Sequence, residues 1–158
     1  LYFLTKLVLA AALSVAPMNS SANKSVTSHS VVLNKQEHKC LTEAVYYEAR
    51  NDTEKGQQAV ADVVLNRVEH KAYPNSVCKV VYQKGQFSWS VNKPAVKEKA
   101  AWEKAEKLAE RKLKRQYALV REDVTSGATH FQKSEKGWKG TVKIGKIGKH
   151  HTFFRLVR

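Results

Sequence analysis

The apolar positions near the start of the chain recur at helical spacing. Leu41, Ala44 and Val45 fall at i, i+3 and i+4, and the next place on that face, i+7, is taken by Glu48. This predicts a helix over residues 35–49 with a carboxylate on its apolar side. A break at Arg50, Asn51 and Asp52 separates it from a second periodic run over residues 53–69, with the stripe Ala59, Val60, Val63, Val64 and Val68. Asp52 or Thr53 stands where that helix needs its N-cap. Asn66 and Arg67 interrupt the stripe, and Asp62 beside it is expected to face solvent. In "YPNSV" Pro74 pushes Tyr73 out of the helical region and closes the element.

Further on, "VCKVVYQKGQFSW" is β-branched and aromatic around Lys84-Gly85, which predicts a short strand or hairpin over residues 77–89. A third helix is predicted from Pro94 to Gln116, with Trp102, Ala105, Ala109 and Leu113 on one side and a solvated, charged outer face on the other. After it, Val, Ile, Thr and Phe alternate through "YALVREDVTSGATHFQ" and "TVKIGKIGKHHTFFRLVR", divided by the turn-rich "KSEKGWKG". The stretch "VKIGKIGKHHTFF" reads as a hairpin or rim strand. Helices first and small antiparallel strands later predict one compact α+β domain over residues 35–158, preceded by a flexible Ser-, Asn- and Lys-rich lead-in over 23–34.

Composition narrows the setting. The 158 residues suffice for one domain with a core. Residues 1–22 carry one Lys, an apolar run from Leu7 to Ala16 and then small residues, the pattern of a secretory signal cleaved after Ala22. That run is far below the roughly 20 residues of a spanning helix, so no stable membrane anchor is expected. An exported protein acting outside the cytoplasm, secreted or periplasmic, follows. Its two cysteines, Cys40 and Cys78, then read as a candidate disulfide. The balance of 28 Lys and Arg against 14 Asp and Glu, net +14, favours a polyanion, and charge alone does not choose between nucleic acid, anionic lipid and envelope polymer.

Glu48 carries the candidate chemistry. Burial on its apolar face and the negative end of its helix both disfavour the carboxylate, so the group is expected to hold its proton. A neutral carboxylic acid can protonate a departing glycosidic oxygen. The competing explanation is an internal ion pair with Arg50, Arg67 or Lys55, and periodicity leaves the two balanced. Conventional glycosidases set a second acid about 5 Å away for retention or roughly 6.5 to 9.5 Å away for inversion. Asp52, Glu54, Asp62, Glu43 and Glu122 are the candidates, and none is convincing: Glu43 points about 140° around the helix, and Asp52 is open to capping. Asn66 needs a polar partner, either backbone near Glu48 or a ligand. Gln86, Phe87, Ser88 and Trp89 are placed to line a sugar groove or, for the aromatics, to pack the core. His130 in "GATHF" borders the groove from the other side or serves the fold. His150 and His151 should point to opposite faces of a strand, and no metal-ligand spacing accompanies any of the three, so neither metal nor cofactor is expected.

Taken together, "EAVYYEARNDTEKGQQAVADVVLNRVEHKAYPNSVCKVVYQKGQFSW", "GATHF" and "KIGKHHTFFR" resemble the SleB-type cell wall hydrolases, a family that includes spore-cortex-lytic enzymes. The resemblance extends over about residues 38 to 155. It implies a lysozyme-like fold related to lytic transglycosylases and goose-type lysozyme. It also implies cleavage of peptidoglycan between N-acetylmuramic acid and N-acetylglucosamine, with Glu48 as the acid and the muramoyl 6-hydroxyl as nucleophile. A hydrolytic muramidase or glucosaminidase, or a non-catalytic wall-binding protein, are the alternatives. The expected partner is then peptidoglycan, with anionic envelope polymers beside it, no nucleic acid, and a monomeric protein.

Two departures stand out. Where the family has Gly-Glu after E-A-R, this chain has Asn51-Asp52, and Asn is expected to take a left-handed turn in place of Gly. The cysteines that flank Q-F-S-W in many secreted relatives are Gly85 and Val91 here, while Cys40 and Cys78 persist as a pair.

Overall fold

The computed structural model describes residues 32–157, so the signal-like segment and most of the lead-in lie outside the described residues. Helix α1 spans Lys35–Ala49, where Asn34 caps it by accepting from the backbone N–H of Gln36 and Glu37. Helix α2 spans Glu54–Glu69 and is capped by Thr53, whose side chain accepts from Gly56 N. Both follow the hydrophobic period of the sequence. The 77–89 stretch does not: Val77–Val81 forms a short helix, α3, and Ser88–Ser90 a single 3-10 turn. Val77, Val80 and Val81 are buried at i, i+3 and i+4, and Ser76 accepts from Lys79 N, so core packing and a cap override the β-propensity of the valines.

Helix α4 spans Lys99–Tyr117 and starts five residues later than Pro94 suggested. The intervening segment is held extended by α1: Tyr47 Oη donates to Pro94 O at 2.5 Å, and Tyr46 Oη accepts from Lys97 N and Glu98 N. Ala105, Leu108, Ala109 and Leu113 face inward. Of the expected strand region from Tyr117 to Gln132, only β1 (His130–Gln132) is a strand, because the residues before it form turns tied by side-chain hydrogen bonds of Asp123. Strands β2 (Thr141–Ile147) and β3 (His151–Leu156) form the expected hairpin, and the antiparallel sheet runs β1-β3-β2. The α+β class therefore stands as read from the sequence.

Helix α2 is central. One side packs with α1, α3 and α4 through Ala61, Val64 and Leu65, and the other meets the sheet through Ala59, Val63 and Phe153. A helix covered all round must bury its polar residues as well. Asp62, expected in solvent, is fully buried and accepts from Lys112 Nζ at 2.8 and 2.9 Å, from Arg121 at 3.2 Å and from Val124 N. Cys40 on α1 and Cys78 on α3 are joined by a disulfide, as the paired cysteines predicted.

Candidate active site

Glu48 lies on the last turn of α1, half-buried, and its Oε1 accepts the indole N–H of Trp89 at 2.8 Å. The 3-10 turn presents Trp89 to the end of α1, and its ring stacks obliquely on Tyr47 (4.7 Å between centroids) and Phe87 (5.7 Å). Burial raises the Glu48 carboxyl above its ordinary pKa, opposed by the Trp89 hydrogen bond and the charge of Lys133. No cation among the described residues forms a salt bridge with it. Arg50 turns outward to Glu98 at 2.8 Å, and Arg67 donates through Nε to Thr129 O at 2.7 Å, with its guanidinium over the Tyr73 and Phe87 rings.

Glu48 borders two hollows. The larger, about 490 Å³, is lined by Glu48 with Arg67, Gln86, Phe87, Ser88, Phe131, Lys133 and His151 among others. The smaller, about 200 Å³, has Glu48, Lys133 and His151 in common with it and adds Tyr47, Arg50, Asn51 and His150. A third, of about 280 Å³, repeats Arg67, Gln86 and Phe131 and adds His130 and Trp138. The three share walls in sequence, with the acid between the first two. Gln86 and Ser88 are exposed on the rim, whereas Phe87 is buried and belongs to the core as well as to the wall. His130 borders the third hollow, beside Trp138 at 5.2 Å.

Several residues fall elsewhere. Asn66 donates to Asp123, Thr125 and Ala128 O and lines a separate hollow of about 370 Å³ with Glu69 and Arg155. It therefore holds the 123–128 turn, not the backbone near Glu48. Asn51 needs no left-handed conformation: among the described residues only Leu119 and Ser126 have positive φ without being glycine. The turn is built instead by Asp52 N donating to Ala49 O at 2.9 Å. The side chain of Asp52 accepts from Thr53 N at 2.6 Å and from Lys149 N at 2.7 Å, tying the α1–α2 turn to the β2–β3 hairpin. Burial works against the Asp52 carboxylate, but these N–H groups and the charge of His150 outweigh it and lower its pKa.

The other second-acid candidates are committed too. Glu43 binds Lys93 and the Tyr82 hydroxyl, Glu54 pairs with Arg111, and Glu122 with Arg115. Among the described residues Glu48 is the sole carboxylate lining the three hollows. Sequence reasoning missed Phe131, Lys133 and His151. It also kept His150 and His151 apart by strand alternation, yet both line the smaller hollow. His150 belongs to the hairpin turn and β3 begins at His151, so the alternation does not reach across the pair.

A half-buried acid at a helix end, flanked by aromatic rings and bordering two hollows with shared walls, forms a cleft suited to proton transfer. The chain belongs to the cell wall hydrolase family, whose profile matches residues 51–154. Glu48 stands three residues ahead of that span. Its similar proteins include a spore cortex-lytic enzyme of Halalkalibacterium halodurans, 31% identical over 114 residues that make up 70% of this chain and 32% of that protein. A second, of Bacillus subtilis, is 44% identical over 48 residues, 30% of this chain and 16% of that protein. The chain thus spans less than a third of the length of these curated relatives. Among solved structures, the catalytic domain of the germination-specific lytic transglycosylase SleB from Bacillus anthracis superposes with a TM-score of 0.59 at 26% identity, over 78% of this chain and 97% of that domain. The catalytic domain of the Bacillus cereus SleB protein, 24% identical, shares the fold with a TM-score of 0.57 over 76% of this chain and 90% of its own.

Proposed function

We propose that the protein cleaves peptidoglycan glycan strands as a lytic transglycosylase, with Glu48 as the acid. One observation carries this reading: Glu48 is the sole carboxylate among the described residues lining the three hollows of the cleft, and its burial favours the protonated form needed to protonate a leaving oxygen. Direct hydrolysis with two acids requires a second carboxyl across the sugar, and every candidate is engaged in the fold. The substrate's own 6-hydroxyl then closes on C1 and leaves a 1,6-anhydromuramoyl end. Gln86, Ser88 and His130 line the cleft at positions suited to holding sugar rings and acetamides, whereas Trp89 lines none of the three hollows and serves the site by its bond to Glu48. The basic surface favours adsorption to an anionic envelope outside the cytoplasm, with weaker binding at high salt. The twofold excess of basic over acidic residues is spread over the chain without a nucleic-acid-binding module, consistent with a polymer surface as partner.

Purified peptidoglycan digested by the parent protein and by Glu48→Gln, with fragments weighed by mass spectrometry, tests the proposal. The parent should release muropeptides with anhydro ends, one water lighter than hydrolysed reducing ends, and Glu48→Gln almost none. Equal release by both would remove Glu48 from the role. Reducing ends alone would turn the reading to a muramidase or glucosaminidase.

A further inference from the structure

The smaller hollow beside Glu48, about 200 Å³, is lined by basic side chains from three parts of the chain. Arg50 comes from the turn after α1, Lys133 from the segment after β1 and His150 from the β2–β3 turn, and Glu48 is the one acid facing them among the described residues. Arg50 is already engaged by Glu98 at 2.8 Å. Lys133 is exposed and forms neither a salt bridge nor a hydrogen bond among the described residues. The side-chain amide of Asn51, on the same wall, is likewise free among them to donate. Lys133 also lines the larger hollow, so a strand laid over Glu48 passes its ammonium.

An unpaired ammonium in this place works against the acid. Its charge favours the carboxylate of Glu48 and opposes the burial that keeps the proton on. The conflict ends if the substrate brings an anion to Lys133, because the ion pair then forms and its field at Glu48 is cancelled in the same step. In peptidoglycan the sugar backbone is neutral wherever the lactyl group of the muramoyl residue is joined to peptide. The anions nearest the scissile bond are then the carboxylates of that stem peptide.

Resting on the reading of the protein as a peptidoglycan-cleaving enzyme, we propose that the smaller hollow is a subsite for a carboxylate of the stem peptide, with Lys133 as its ion-pairing residue and Asn51 donating beside it. The larger hollow, walled by Gln86, Phe87, Ser88 and Phe131, is left to the sugars. The cleft thereby acquires a direction, with the peptide leaving the strand toward Arg50 and the hairpin turn. Strands that carry stem peptides are preferred over strands of the same sugars without charge.

The experiment compares the parent, Lys133→Met and Lys133→Arg with Lys104→Met, which removes the same charge from an exposed position on α4. The substrates are sacculi with their phosphate polymers, sacculi stripped of them, and stripped sacculi whose carboxylates are blocked as methylamides. Cleavage gives kcat and KM, and the same substitutions placed on Glu48→Gln give Kd without digestion. On stripped sacculi Lys133→Met should raise KM and Kd by about fivefold beyond Lys104→Met, with kcat little changed and Lys133→Arg close to the parent. On blocked sacculi the difference between the parent and Lys133→Met should vanish. The proposal is overturned if Lys133→Met matches Lys104→Met on stripped sacculi, or if its deficit is as large on blocked ones, as a defect of folding would make it. A deficit confined to sacculi that keep their phosphate polymers would overturn it in favour of phosphate binding. Cleavage by Glu48→Gln would sink the underlying reading, whereas an inactive Glu48→Gln whose Kd ignores Lys133 would sink this inference alone.

Discussion

The indole N–H of Trp89 reaches the carboxylate of Glu48 at 2.8 Å, and this bond opposes the burial that raises the acid's pKa. A donor bonded to a carboxylate stabilises the charged form. Trp89→Phe keeps the ring against Tyr47 and Phe87 but removes the donor, so the pKa of Glu48 should rise further. If the protonated form does the work, activity is present below that pKa and lost as pH rises through it. The alkaline limb of kcat/KM should therefore move to higher pH in Trp89→Phe, read from rates of sacculus clearing across a pH series. An alkaline limb that stays in place or moves down would show that the bond does not tune the acid.

What the sequence made legible follows from how local each signal is. The period of Leu41, Ala44, Val45 and Glu48 lies within two turns, and the structure reproduces α1 over Lys35–Ala49. The segment Val77–Val81 is too short for periodicity to separate strand from helix, and valine content pulled the reading the wrong way, although Ser76 was a cap signal in plain view. Asp62 was misplaced because its partner Lys112 comes from α4, on the side of α2 that the stripe rule assigns to solvent. His151 was out of reach for the same reason: its place beside Glu48 depends on the hairpin docking to the α1–α2 turn through Asp52 and Lys149.

The Asp62–Lys112 pair should be a strong point of stability. Both side chains are almost completely buried, and Lys112 also donates to Glu122 O at 2.9 Å. Burial is the larger influence on Asp62 and raises its pKa, with Lys112 opposing it. Removing one member of such a pair leaves an insufficiently compensated buried charge, at a cost of about 3 kcal/mol. Lys112→Met should show that loss in urea denaturation with an unchanged m-value. A loss below about 1 kcal/mol would mean that Arg121, 3.2 Å from the same carboxylate, carries the compensation alone.

The join between hairpin and helices can be tested at Gly148. Its φ is +75°, and a Cβ there would lie 2.4 Å from Asp52 Oδ1 and 2.8 Å from Gly56 Cα. Neither neighbour can yield easily, because Gly56 Cα is backbone and Asp52 is held by two N–H donors. Gly140 provides the control: its φ is +81°, and a Cβ there meets nothing within 4 Å. Gly140→Ala should lose only the conformational term, about 1 kcal/mol. Gly148→Ala should lose that amount and, in addition, about 1 to 3 kcal/mol for the forced displacement. Because the displacement separates Asp52 from the hairpin that carries His151, Gly148→Ala should also lose cleavage activity at temperatures where it remains folded, while Gly140→Ala keeps it. Equal melting temperatures and equal activity in the two variants would show that the hairpin does not need its contact with the α1–α2 turn.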